Sequence, residues 1–134
     1  MYPAFPDVLR ALRANLMREI IPDLTTDYAR EQATGMLLLI EHLLSRWDRA
    51  LDALREENKD LRHTLARIGE SVAPSAAGRG EELIAENREL RARLASVIAS
   101  APPGSAALRR AVGFMTRQLE REKAAVAVGA LTWD

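Results

Sequence analysis

Apolar residues recur along this chain at alternating steps of three and four, the spacing that gathers them on one face of an α-helix. Four such stretches are predicted. Val8, Leu9, Leu12, Leu16 and Ile20 follow Pro6, which suits a first helical turn, and Pro22 ends the segment because its ring cannot continue the hydrogen-bond ladder. Thr25, Thr26 and Asp27 offer capping oxygens for a second helix. From about 28 to 68 there is no proline and Gly35 is the only glycine, so this helix would be roughly 60 Å long. Gly69 and the run Pro74-Ser75-Ala76-Ala77-Gly78-Arg79-Gly80 form a connection. Glu81 and Glu82, favourable at the positive end of a helix dipole, open a third helix to about Ala99, which Pro102-Pro103-Gly104 breaks. Ser105 caps a fourth, with Leu108, Val112, Met115 and Leu119 on one face, Gly129 at its end and Leu131-Thr132-Trp133-Asp134 as a tail.

The long helix carries the most specific pattern. Leu37, Ile40, Leu44, Trp47, Leu51, Leu54, Asn58, Leu61, Leu65 and Ile68 keep the three-four alternation through more than four heptads, which predicts a coiled-coil seam. Leu37, Leu44, Leu51, Asn58 and Leu65 fall at a positions, and Ile40, Trp47, Leu54, Leu61 and Ile68 at d positions. An amide on a dry seam penalises registers in which it meets leucine. The third helix repeats the device: Glu57-Asn58-x-x-Leu61-x-x-x-Leu65 recurs as Glu86-Asn87-x-x-Leu90-x-x-x-Leu94. Glu57 at g and Arg62 at the next e, repeated as Glu86 and Arg91, would attract across a parallel dimer. In an antiparallel pairing with aligned asparagines, Glu is expected to face Glu. The connection of about eleven residues instead suits an intramolecular antiparallel hairpin. Both arrangements stay open at this point, and a large aromatic such as Trp47 fits best where a third helix adds room. Residues beyond Leu54 outrun the first helix, so their apolar edge must meet the third helix, the fourth, or another chain.

Composition narrows the class. Of 134 residues 48% are hydrophobic but only 4% aromatic, a balance of Ala and Leu that favours helices over a β-sandwich. The 19 basic residues equal the 19 acidic ones, so no strong field draws nucleic acid or an anionic membrane. The absence of cysteine excludes disulfides, thiolate catalysis and Cys-based zinc sites. Met1-Tyr2-Pro3-Ala4-Phe5-Pro6-Asp7 lacks the pattern of a secretory signal, and the longest apolar run, Met36-Leu37-Leu38-Leu39-Ile40, is too short to span a bilayer. A cytoplasmic location is expected.

Candidate chemistry is sparse. Asp60-x-x-His63 resembles half of a di-metal bundle motif, but a second copy is missing and both residues are placed on the polar stripe. His42 lacks a second ligand one turn on. Ser71, Ser75, Ser96, Ser100 and Ser105 have no histidine and carboxylate placed to activate them, and Gly78-Arg79-Gly80 is followed by glutamates that would repel phosphate. A dimeric zipper transcription factor would need a basic run before the seam, yet Arg30 is the only base between Thr25 and Leu39. Arg109, Arg110, Arg117, Arg121 and Lys123 make the fourth helix mildly basic.

Val8-Leu9-x-x-Leu12, then Ile20-Ile21-Pro22-Asp23-Leu24, then Tyr28-Ala29-Arg30 leading into Met36-Leu37-Leu38-Leu39-Ile40-Glu41 resemble a family of small bacterial all-helical domains of unknown function. Members are found beside or fused to aminoglycoside-phosphotransferase-like kinases, often near acyl-CoA dehydrogenases. The resemblance covers about a third of the chain. It implies an accessory partner of a small-molecule kinase-like enzyme, with no catalytic residue to carry over.

These readings converge on an all-α fold of four helices, with one long heptad-patterned helix (about 27–69) in an antiparallel helical hairpin or coiled-coil bundle. A single helical domain over 1–134 is expected: an N-terminal base (1–50), a hairpin arm (51–100) with its loop at 70–80, and a C-terminal helix (105–129). The expected function is non-catalytic: a helical accessory or oligomerisation protein without cofactor or metal, forming a homo-oligomer, with a dimer favoured. The expected interface comprises Leu44, Trp47, Leu51, Leu54, Asn58, Leu61, Leu65, Asn87, Leu90 and Leu94. Alternatives are a four-helix ligand- or metal-binding protein with a buried polar cluster including His63 or His42, and a nucleic-acid-binding regulator.

Overall fold

The computed structural model describes residues 4–75 and 78–131, with side chains as far as 126. The expected tail at 132–134, the first three residues and Ala76 and Ala77 of the connection lie outside the described residues. Four helices, α1 (Phe5–Asn15), α2 (Asp27–Ile68), α3 (Gly80–Ser100) and α4 (Ala106–Leu131), make an all-α fold with no strand among the described residues. No described helix is long and apolar enough to cross a membrane.

Local chemistry accounts for the boundaries. α1 runs on into a wider π-helical turn, Leu16–Ile20, in which the Ile21 N–H donates to the Leu16 carbonyl. Next comes a 3-10 turn, Ile21–Asp23. Pro22 lacks an N–H and crowds the carbonyl four residues back, so regular α-helix cannot pass it. The Thr26 hydroxyl accepts the Ala29 N–H at 3.2 Å and starts α2, and the Ser105 hydroxyl does the same for Leu108 at 3.2 Å at the start of α4. At α3 the Glu82 carboxylate accepts the Gly78 and Arg79 N–H groups at 2.8 and 3.3 Å, which holds it below the usual carboxylate range. α2 ends at Gly69, whose φ of 103° only glycine adopts without strain. There the Glu70 N–H reaches the Leu65 carbonyl at 3.0 Å and the Gly69 N–H the Ala66 carbonyl at 3.1 Å, the paired bonds of a Schellman stop. Gly129 was expected to end α4, but the helix continues to Leu131.

The chain forms two compact units, Met1–Asp52 and Ala53–Asp134. The boundary falls two residues from the expected end of the N-terminal base. In the first unit, Pro6, Leu9 and Leu16 from the α1 segment and Ala33 and Leu44 from α2 supply the buried side chains. The rings of Phe5 and Trp47, 5.9 Å apart and tilted by 55°, close one end of this antiparallel pair. In the second, the C-terminal part of α2, α3 and α4 enclose one core of Leu61, Leu65, Leu90, Leu94, Ala111 and Phe114. The fourth helix therefore belongs with the hairpin.

Replacing Gly69 by Ala keeps open space around the new methyl group but forces it to positive φ. Urea unfolding is expected to report a loss of about 1–2 kcal/mol; an unchanged midpoint would mean that the stop signal contributes nothing.

Candidate functional site

The second unit centres on an amide pair. Asn58, 1% exposed, donates from Nδ2 to the Leu83 carbonyl at 3.1 Å and accepts at Oδ1 from Asn87 Nδ2 at 2.8 Å. The two copies of the repeated motif thus meet each other within one chain, in antiparallel α2 and α3. Glu57, 6% exposed, accepts from Asn87 Nδ2 at 3.0 Å, Arg91 Nε at 2.5 Å and Gln118 Nε2 at 3.1 Å. Arg62 pairs with Glu86. The expectation that glutamate would face glutamate in this arrangement is overturned. Each arginine lies one helical turn beyond its own asparagine, and its long side chain reaches diagonally to the glutamate beside the facing asparagine. Both diagonals attract.

A third helix is tied to the same polar layer. Asp60, expected on a solvated stripe, is 14% exposed and turned toward α4. Arg117 grips it as a fork, with Nε to Oδ2 at 3.0 Å and Nη2 to Oδ1 at 2.8 Å. Arg121 adds a contact at 2.9 Å, and its guanidinium also lies 5.8 Å from the Phe114 ring centre. Burial by itself pushes the Asp60 carboxyl up, but the two arginines together hold it below the ordinary carboxylate value. The same pairing raises Arg117. His63 is exposed and outside this cluster, and the polar layer is built from Glu57, Asn58, Asp60, Thr64 and Asn87 without it. Among the described residues no three His, Asp or Glu side chains gather to hold a metal ion.

The structure places the residues expected to form an interface as follows. Asn58, Leu61, Leu65, Leu90 and Leu94 are buried and Asn87 half-buried between α2, α3 and α4. Leu44 is buried and Trp47 half-buried within the first unit, and Leu51 and Leu54 are half-buried. Sequence reasoning missed the surfaces that remain apolar. On α4 the inward residues are Ala111 and Phe114, while Val112, Met115 and Leu119, expected to share one face, are about half exposed. With Leu94 and Ile98 of α3 they line an open groove of about 600 Å³.

In the first unit, Phe5, Val8 and Leu12 of α1 and Met36, Leu38, Leu39 and Leu43 of α2 are exposed. Val8 immediately precedes buried Leu9, and Leu43 immediately precedes buried Leu44. In an antiparallel helix pair, the same rotational step from the contact line leads to the same side. Leu38 follows half-buried Leu37 and so lies on the opposite side of α2, whereas Phe5, Val8 and Leu12 of α1 and Met36, Leu39 and Leu43 of α2 form one apolar face. A signal for it existed: five consecutive apolar residues, Met36-Leu37-Leu38-Leu39-Ile40, cannot all point to one side of a helix.

A basic cleft of about 310 Å³ between α2 and α4 includes His63, Arg67, Arg109, Arg110 and Arg117. Three of its guanidiniums already serve the fold: Arg110 donates to the Arg67 carbonyl at the end of α2, Arg109 to the Gly104 carbonyl, and Arg117 to Asp60.

Asn58→Leu alone would take the Oδ1 acceptor from the half-buried Asn87 amide and the Nδ2 donor from the Leu83 carbonyl, and is expected to destabilise the second unit by about 1–3 kcal/mol. Combining it with Asn87→Leu is expected to recover most of that loss, because an apolar pair leaves no amide unmatched. A double-mutant cycle without a coupling energy would show that the amides act independently. Because Asp60 is more acidic folded than unfolded, its contribution is complete above its ordinary value of 3.8 and fades as pH falls through the lowered one. Acid titration of stability should therefore show a steeper loss below about pH 4 in the parent than in Asp60→Asn; parallel curves would remove this ion pair from the account. Comparison of the chain with protein-family models, with curated proteins and with solved structures finds no match.

Proposed function

We propose that this chain is a cytoplasmic, non-catalytic interaction module that works by packing its helices against other helices. The observation that carries this reading is the apolar face of the first unit. A stable helical domain normally buries its apolar stripes between packed layers, and two helices alone leave one side uncovered. Leu39 remains 59% exposed, with Met36 and Leu43 one turn to either side of it. Isolated exposed leucines need no explanation, but a contiguous patch on two neighbouring helices marks a surface meant to be covered.

The heptad pattern keeps its meaning in a changed form. Its Asn58 segment is satisfied inside the chain, so the adhesive surface is the neighbouring row of α2 rather than the seam itself. An accessory role of the kind implied by the N-terminal resemblance belongs to the same class of action, with a partner's helix as the occupant.

The chain has no cysteine of its own, so a single one can be placed at will. A photo-cross-linker attached at Leu39→Cys is expected to form adducts in cells, whereas the same group at exposed Lys59→Cys gives none. Equal yields from the two positions would defeat the reading, and the mass of the adduct identifies the occupant.

A further inference from the structure

Resting on that reading, we infer that the occupant of the first unit's apolar face is a second copy of this chain, docked with its α2 antiparallel across Leu39 and its neighbours Met36 and Leu43. Charge selects this partner. Asp27, Glu31, Gly35, Leu38, His42, Arg46 and Arg49 succeed one another at steps of three and four along one row of α2, bordering the apolar stripe. Asp27 and Glu31 stand at one end of this row and Arg46 and Arg49 at the other, so it is acidic at the N-terminal end and basic at the C-terminal end. Glu31 stands seven residues before Leu38, and Arg46 stands seven after Leu39. A two-fold axis at the level of Leu39 therefore brings Glu31 of each copy toward Arg46 of the other. Asp27 approaches Arg49 in the same way.

A parallel second copy would set acid on acid and base on base. A foreign helix would need a matching gradient of its own, whereas a second copy carries it necessarily. Isologous pairing of this kind also closes on itself. Gly35 lies near the middle of the row, and no atom stands within 4 Å of the place a Cβ would take there. The missing side chain leaves room for close approach of the two helices.

Sedimentation velocity on the full chain, from micromolar to millimolar, is the test. The parent is expected to be a dimer. Glu31→Arg and Arg46→Glu, each confirmed helical by circular dichroism, should each weaken self-association by roughly ten- to thirtyfold, since two exposed pairs turn from attraction to repulsion. An equimolar mixture of the two variants should regain the parent's affinity, because both contacts then join opposite charges. Leu39→Glu should abolish the dimer without lowering the helix content. A monomeric parent, or a dimer indifferent to these reversals and to mixing, would overturn the inference. A monomeric parent that still yields a Leu39 adduct with another protein would leave the interaction reading intact and remove only the second copy as its partner.

Discussion

The hydrogen-bonded contact between Asn58 and Asn87 is the constraint on which the second unit depends. A buried and a half-buried amide in an apolar seam are satisfied where they meet, and a shift of one turn would set each against leucine. The pair fixes the register of α3 on α2, and the register decides which charges meet. Glu57 with Arg91 and Arg62 with Glu86 are consequences of that alignment, not independent attractions. Exposed ion pairs contribute under about 1 kcal/mol each. Their weight here comes from Glu57, a nearly buried carboxylate that must be matched wherever α3 lies.

The orientation of α4 follows from the same layer. Its most hydrophobic row, Val112, Met115 and Leu119, stays half exposed, while Ala111, Phe114, Gln118 and Arg121 turn inward. Leaving an aliphatic side chain half exposed forgoes roughly 1 kcal/mol of burial. Leaving a carboxylate buried without a partner costs several kcal/mol. Glu57 and Asp60 present two such carboxylates to α4, and Gln118, Arg117 and Arg121 answer them. Satisfying the buried charges outweighs hiding three aliphatics, and the apolar row becomes one wall of a groove. Ala111, with no exposed surface, marks how closely α4 approaches the hairpin.

The two units use the long helix differently. In the second unit it is one of three packed helices with a closed core and a polar lock. In the first it has α1 and a compressed turn at Pro22 as neighbours, and five of the side chains there are buried while a row of larger ones is not. A closed core needs no partner. A half-covered helix pair does, which is why the interaction reading rests on the first unit.

The helices themselves were legible in the sequence because their causes are local. Pro22 and Gly69, the hydroxyls of Thr26 and Ser105, and the carboxylate of Glu82 act within one turn of the residues they stop or start. So was the identity of the seam, since three-four spacing fixes which side chains share a face. Gly129 misleads as a stop signal because a glycine only weakens a helix and does not forbid it. What the seam touches was not legible. The same leucines and amides suit a second chain or a folded-back helix, and only the closure of the connection at 70–80 brings Asn87 to Asn58. Nor could periodicity choose the inward face of α4. That outcome depends on which buried charges lie opposite, and such pairings join residues tens of positions apart in the chain.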